Sequence, residues 1–165
     1  MSVAGIERIF SINLRKILCN VINKADRINE IRLRAGQPLM VIIDNMERFV
    51  NPDGEITLTY ENAYIVTVNE IRETMEYISN YSIYAYEEEI KQGYITVAGG
   101  HRIGICGKAI IENNRVKTLR YISFINIRIA HEMISCSDRL IPKIYKDRDS
   151  IYNTLIISPP GRGKT

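Results

Sequence analysis

A chain of 165 residues with 45% hydrophobic and 25% charged side chains has a globular composition, in a length that suits one ordinary domain burying about two-thirds of its unfolded surface. Cys19, Cys106 and Cys136 are far apart and odd in number, with no Cys-x-x-Cys and no nearby His pair; this argues against a disulfide framework or a zinc site and for a reducing compartment. The start, Met1 to Arg8, lacks the basic region and long apolar core of a signal peptide, and no apolar run reaches the roughly 18 residues of a membrane span, so a cytoplasmic protein without membrane insertion is expected.

The net charge of +3 hides a division along the chain. Residues 1–40 hold seven Lys/Arg against three Asp/Glu, residues 41–100 three against eleven, and residues 101–165 twelve against five. An acidic middle between basic ends could make a head-to-tail contact of the kind that closes into rings, or could be no more than solvated helix faces.

In chain order, apolar residues at Ile6, Ile9, Phe10, Leu14, Ile17, Leu18, Val21 and Ile22 predict one amphipathic helix from Ile6 to Ala25. Ile28–Arg34 alternates as a strand, Ala35-Gly36-Gln37-Pro38 is turn chemistry, and Leu39–Asp44 returns as a second strand. Glu47–Val50 is a short third strand ended by Asn51-Pro52-Asp53-Gly54. From Thr67 the period turns helical: Thr67 and Glu70 form a T-x-x-E capping box, with Val68, Ile71, Met75 and Ile78 on one side as far as Asn80. Three tyrosines, Tyr81, Tyr84 and Tyr86, could stack bases or fill a core edge; the neighbouring Glu87-Glu88-Glu89, which would repel a phosphate backbone, favours the core. Those acids open a short helix with a C-cap at Gly93.

Gly93–Ala98 and His101–Ile111, joined at Gly99-Gly100, read as a β-hairpin whose second arm keeps Gly104 and Gly107, signs of a bulge, a bend or a close backbone approach. Asn113-Asn114 turns the chain into strands at Val116–Leu119 and Tyr121–Ile129, with Asn126 and Arg128 on the polar face of the latter. Ser137-Asp138 caps a helix through Tyr145, and Lys146–Ser150 is a charged linker. His101 and His131 stand alone and read as structural histidines, and no nucleophile-plus-base constellation is present. The order of elements predicts an α+β fold, a largely antiparallel sheet with helices packed on one face. It occupies residues 1–146, and residues 147–165 begin a second domain.

That second domain is announced by its loop. Leu155-Ile156-Ile157 reads as a buried strand leading into Ser158-Pro159-Pro160-Gly161-Arg162-Gly163-Lys164-Thr165, which matches the phosphate-binding pattern G-x-x-x-x-G-K-[ST] at every fixed position but the first. The glycines let the main chain curl so that its N–H groups point at phosphates, Lys164 can reach β/γ oxygens, and Thr165 offers a hydroxyl to Mg²⁺. ATP with Mg²⁺ is the expected cofactor pair. The helix and metal-holding acid that a working loop requires do not follow in these 165 residues, so negligible ATP hydrolysis is expected of this chain alone.

Five blocks in order, Glu30–Leu39, Tyr84–Thr96, Gly99–Gly104 with Gly107, Ile125–Ala130 and the closing loop, resemble the stage III sporulation protein AA family over nearly the whole chain. The resemblance implies an ATPase of endospore-forming bacteria similar to the hexameric ATPases of type II secretion and type IV pili. It implies a homo-oligomer, a hexamer at full length, in the mother-cell cytoplasm and peripheral to the membrane. It also implies docking on membrane-associated proteins of a channel that links mother cell and forespore. Ser158 fits a family whose loop begins with Ser or Gly. An N-terminal domain of this type can lend arginines to the phosphates, with Arg102 and Arg128 the candidate arginine fingers and Arg32, Arg34 and Arg120 behind them; equally, strand arginines pair with acids such as Glu30, Glu88 or Glu89. A single-stranded nucleic-acid-binding module attached to the ATPase is the alternative, suggested by the basic ends and the tyrosines, although nucleic acid is not the favoured partner.

Overall fold

Period-two alternation sends every second side chain of a strand to the same face, and here the apolar set points one way. In the computed structural model, which describes residues 5–24, 28–131, 135, 137–157 and 159, Ile28–Arg34 forms β1 with Ile31 and Leu33 buried and Glu30, Arg32 and Arg34 opposite them. β2 (Met40–Ile43) and β3 (Met46–Val50) follow antiparallel, and a two-residue β4 (Ile56–Thr57), not expected from the sequence, ends that side. β5 (Tyr94–Val97), β6 (His101–Glu112) and β7 (Arg115–Arg128) form the other half. Among the described residues the sheet has seven strands in the order β4-β3-β2-β1-β7-β6-β5, every neighbouring pair antiparallel. The fold is α+β.

The helices supply the other half of the core. α1 (Ile12–Lys24), α2 (Val68–Ile78) and α3 (Glu87–Gln92) bury Leu14, Leu18, Ile71, Met75 and Ile90 with Ile31, Leu33, Ile95, Ile103, Ile125 and Ile127 in one cluster, so the sheet has one covered and one open face. No helix among the described residues is long and apolar enough to cross a membrane. The chain divides into two compact units, Met1–His131 and Glu132–Thr165; α4 (Ile141–Ile144) lies in the second.

Five local expectations are corrected. The opening helix is interrupted: a 3₁₀ turn at Ile6–Ile9 ends at an extended Phe10, and α1 begins afresh because the buried Ser11 donates its N–H to Thr74 Oγ1 and its hydroxyl accepts from Leu14 N. Val68 is exposed rather than stacked in the core, since the buried side of α2 is made of Glu70, Ile71, Thr74, Met75 and Ile78. Of Tyr81, Tyr84 and Tyr86 only Tyr86 packs against the core; Tyr81, in a turn with a φ of 58°, and Tyr84, in a 3₁₀ turn at Ile83–Tyr86, are exposed. The helix after Ser137 is only one turn, Ile141–Ile144, with a proline in its first turn and residues 137–140 in turns. Leu155 and Ile157 are 83% and 85% exposed and belong to no strand among the described residues, so the expectation of a buried strand there is not met.

The capping box at α2 is formed in full and extended. Glu70, 6% exposed, accepts from the Thr67 N–H and hydroxyl, from the Tyr64 hydroxyl at 2.6 Å and from Asn13 Nδ2 at 2.7 Å, tying α2 to α1 and to the loop before it. Burial pushes the Glu70 carboxyl up, and the hydrogen bonds from Tyr64, Thr67 and Asn13 outweigh it, leaving the group below its ordinary value of 4.5. A folded-state value below the unfolded one means stability that is present above pH 4.5 and lost progressively as pH falls from there through the lower folded-state value. Chemical denaturation at stepped pH is expected to show that loss, and Glu70→Gln to flatten it while lowering stability at neutral pH by roughly 1–3 kcal/mol. An unchanged acid limb in the variant would remove Glu70 from the account.

Candidate functional site

Because β1, β7, β6 and β5 are in register, their outward side chains line up in rows across the open face. One row runs Thr96, Arg102, Arg128, Glu30, Ile42, and the next runs Tyr94, Gly104, Asn126, Arg32, Met40. Cys106, Phe124 and Arg34 begin a third. Four of the five arginines singled out in the sequence therefore share one surface.

Their partners differ. Arg128 donates from Nε to Glu30 Oε1 at 3.2 Å, and Arg32 reaches Glu30 Oε2 at 3.1 Å and Glu47 Oε1 at 3.0 Å. Glu30 is thus a two-sided clamp, its side chain only 15% exposed while that of Arg128 is 65% exposed. Burial pushes the Glu30 carboxyl up, but the hydrogen bonds and charges of Arg128 and Arg32 bring it below the ordinary range, so it is ionised at neutral pH. Arg102 and Arg34 have no carboxylate partner among the described residues. The Arg102 guanidinium lies over the Tyr94 ring and that of Arg34 over the Phe124 ring, each 5.0 Å from the centroid. Beside them Asn126 Oδ1 is buried with no hydrogen-bond partner.

The pairing of strand arginines with Glu30 is thus found, whereas Glu88 pairs with Lys91 on its own helix. Arg120 is not part of this surface. After Cys106 the β6–β7 register shifts, Tyr121 adopts a φ of 50°, and the main chain closes on Gly107 so tightly that a Cβ there would meet Arg120 O at 2.7 Å. The bulge turns Leu119 and Ile122 back to the core and leaves Arg120 beside an apolar groove with Val68, Met75, Tyr81 and Tyr84. The two histidines serve the scaffold: His101 Nδ1 accepts from Ala130 N at 3.0 Å, and His131 Nε2 bonds Ile28 O at 2.7 Å. Tyr94, Phe124 and the clamping role of Glu30 escape a reading of single strands, since only alternation marks them and alternation does not name the strand opposite.

Of the phosphate-loop residues, Ser158, Pro160, Gly161, Arg162, Gly163, Lys164 and Thr165 lie outside the described residues, and Pro159 is exposed. The cofactor-binding and metal-binding expectations for them rest on the motif.

Comparison with known proteins bears on the whole chain. No solved structure matches it significantly. The stage III sporulation protein AA of Bacillus subtilis (strain 168) is 40% identical over 138 residues, which is 84% of this chain and 40% of that protein, so the chain spans about two-fifths of the length of this relative. The family model described as "Sporulation stage III, protein AA" matches residues 3–165. With all but its first two residues inside that match, the chain belongs to the sporulation stage III protein AA family and has a role in sporulation.

Proposed function

We propose that the chain is the leading part of an ATPase of the secretion type that powers or assembles a channel complex between mother cell and forespore. The observation that carries this is the sequence Gly161-Arg162-Gly163-Lys164-Thr165 directly behind Leu155–Ile157, whose end residues stand exposed as an apolar segment would before the rest of a nucleotide-binding sheet covers it. Ser158–Thr165 would hold the phosphates of ATP, with the Thr165 hydroxyl on Mg²⁺. The α+β unit would assemble the protein into a homo-hexamer, dock it from the mother-cell cytoplasm on membrane-associated channel proteins, and lend Arg102 and Arg128 to the phosphates. In support of that last role, the two stand opposite each other on adjacent strands and face away from the core.

The test is the protein extended over the full length of its Bacillus relative. It is expected to hydrolyse ATP, to lose about tenfold or more of that turnover with Arg102→Ala or Arg128→Ala at unchanged assembly, and to do so where residues 1–165 alone show negligible turnover. An extended protein that ignores ATP would sink the proposal, and wild-type turnover in both variants would remove the arginine role.

A further inference from the structure

Two guanidinium groups on directly opposed positions of neighbouring strands repel each other, and a sheet keeps such a pair only where something else answers the charge. Arg102 and Arg128 are such a pair. Each has a partner of its own, Arg102 the Tyr94 ring and Arg128 the Glu30 carboxylate. Between their row and that of Arg34 lie Gly104, which presents no side chain, and Asn126, whose buried Oδ1 is unpartnered. The open face therefore has a shallow floor with guanidinium groups on two sides of it, two of them without a carboxylate. An arginine lies over the Tyr94 ring and another over the Phe124 ring, so both aromatic side chains of this face carry guanidinium charge beside them.

We infer that this floor binds a compact polyphosphate, either the triphosphate tail of a nucleotide or free tripolyphosphate, and that Glu30 gates the site by holding Arg128 until the anion takes it. The inference deepens the arginine reading above and names its ligand class and its gate, but it does not depend on the phosphate loop. Arg102 and Arg34 meet the anion first, because no carboxylate competes for them. Arg128, its side chain 65% exposed, follows by exchanging one acceptor for another, while Glu30 keeps Arg32, which Glu47 also holds. Glu30 is a positioning residue: its carboxylate sets how much of the Arg128 charge is free for a ligand.

The experiment uses the 165-residue chain carrying Lys164→Ala, so that the loop is silenced, and titrates it by calorimetry with tripolyphosphate, ATP, adenosine and a single-stranded oligonucleotide. Tripolyphosphate and ATP are expected to bind alike, adenosine not at all, and Arg102→Ala to weaken both anions by about tenfold or more. Gly104→Leu is expected to block them without disturbing the fold, since a Cβ at Gly104 makes only ordinary contacts of 3.8 Å with Asn126. Glu30→Gln, which keeps the shape, is expected to tighten binding several-fold, and that gain to vanish when Arg128→Ala is added. Weaker or unchanged binding in Glu30→Gln overturns the gate, with the thermal midpoint confirming that the variant is folded. Oligonucleotide binding without tripolyphosphate binding, or anion binding that survives Gly104→Leu, overturns the site. If the anions bind here and the extended protein still fails to hydrolyse ATP, the site stands and the proposed ATPase falls.

Discussion

Lys164→Ala in the full-length extension is expected to lower ATP turnover on the order of 10²- to 10³-fold. Catalysis at a phosphate loop is almost entirely positioning and charge stabilisation, and the lysine is the point charge that reaches the β/γ oxygens where negative charge develops. Removing one preorganised donor of this kind from a catalytic site typically costs that factor. Arg162, at a variable position of the motif, is the internal control: Arg162→Ala is expected to keep turnover within a few-fold. Phosphate release measured at saturating Mg²⁺-ATP for both variants decides the matter. Equal turnover in Lys164→Ala and wild type would mean that Gly161–Thr165 is a glycine-rich segment with no nucleotide role, however well it matches the motif.

Gly54→Ala is expected to be the most damaging single methyl that can be added to the α+β unit, at about 3 kcal/mol or more, a fall of roughly 10 °C in midpoint for a domain of this size. Two independent costs meet at this residue. Its φ of 75° lies in the left-handed region that a side chain disfavours, and a Cβ there would stand 2.5 Å from the Ile17 carbonyl oxygen and 3.0 Å from Asn20 Cβ. The turn Asn51–Gly54 is pressed onto α1 and held there by Asn20 Nδ2 donating to Asp53 O, so neither backbone can withdraw without loosening the other. Gly36 separates the two costs: its φ is 71° but nothing lies within 4 Å of a Cβ, so Gly36→Ala is expected to cost about 1 kcal/mol. Thermal and denaturant unfolding of the two variants gives the comparison, and equal losses would mean that the contact with α1 carries no weight.

The Asn51-Pro52-Asp53-Gly54 signal was legible as a turn, but the helix that the turn touches was not. The same division runs through the molecule. Thr67 and Glu70 lie three residues apart, so their capping box could be read from the chain alone, and it is present as read; Asn13 and Tyr64, which complete the coordination of Glu70, could not be so read. On the open face, alternation by itself placed Arg32 and Arg34 together on β1, and Asn126 and Arg128 together on β7, because side-chain direction in a strand has a period of two whatever the strand's neighbours. Misread segments failed for a related reason. The stripe from Ile6 to Ile22 looks continuous by spacing, but a contact between Ser11 and Thr74, 63 positions apart, breaks the helix at Ser11. Tyr81 and Tyr84 are apolar enough for a core edge, yet the left-handed turn at Tyr81 and the 3₁₀ turn at Ile83–Tyr86 leave both exposed.

Local order was thus written in residues one to four apart: the strand and helix periods, the caps, and the glycine and asparagine turns. The tertiary fold alone decided that Arg128 meets Glu30 across 98 positions, that Arg102 is set against Arg128, and that the bulge at Gly107 removes Arg120 from their company. The physical reason is that a strand's own residues settle which way its side chains point, whereas the register that joins two strands depends on the whole sheet closing over its core at once.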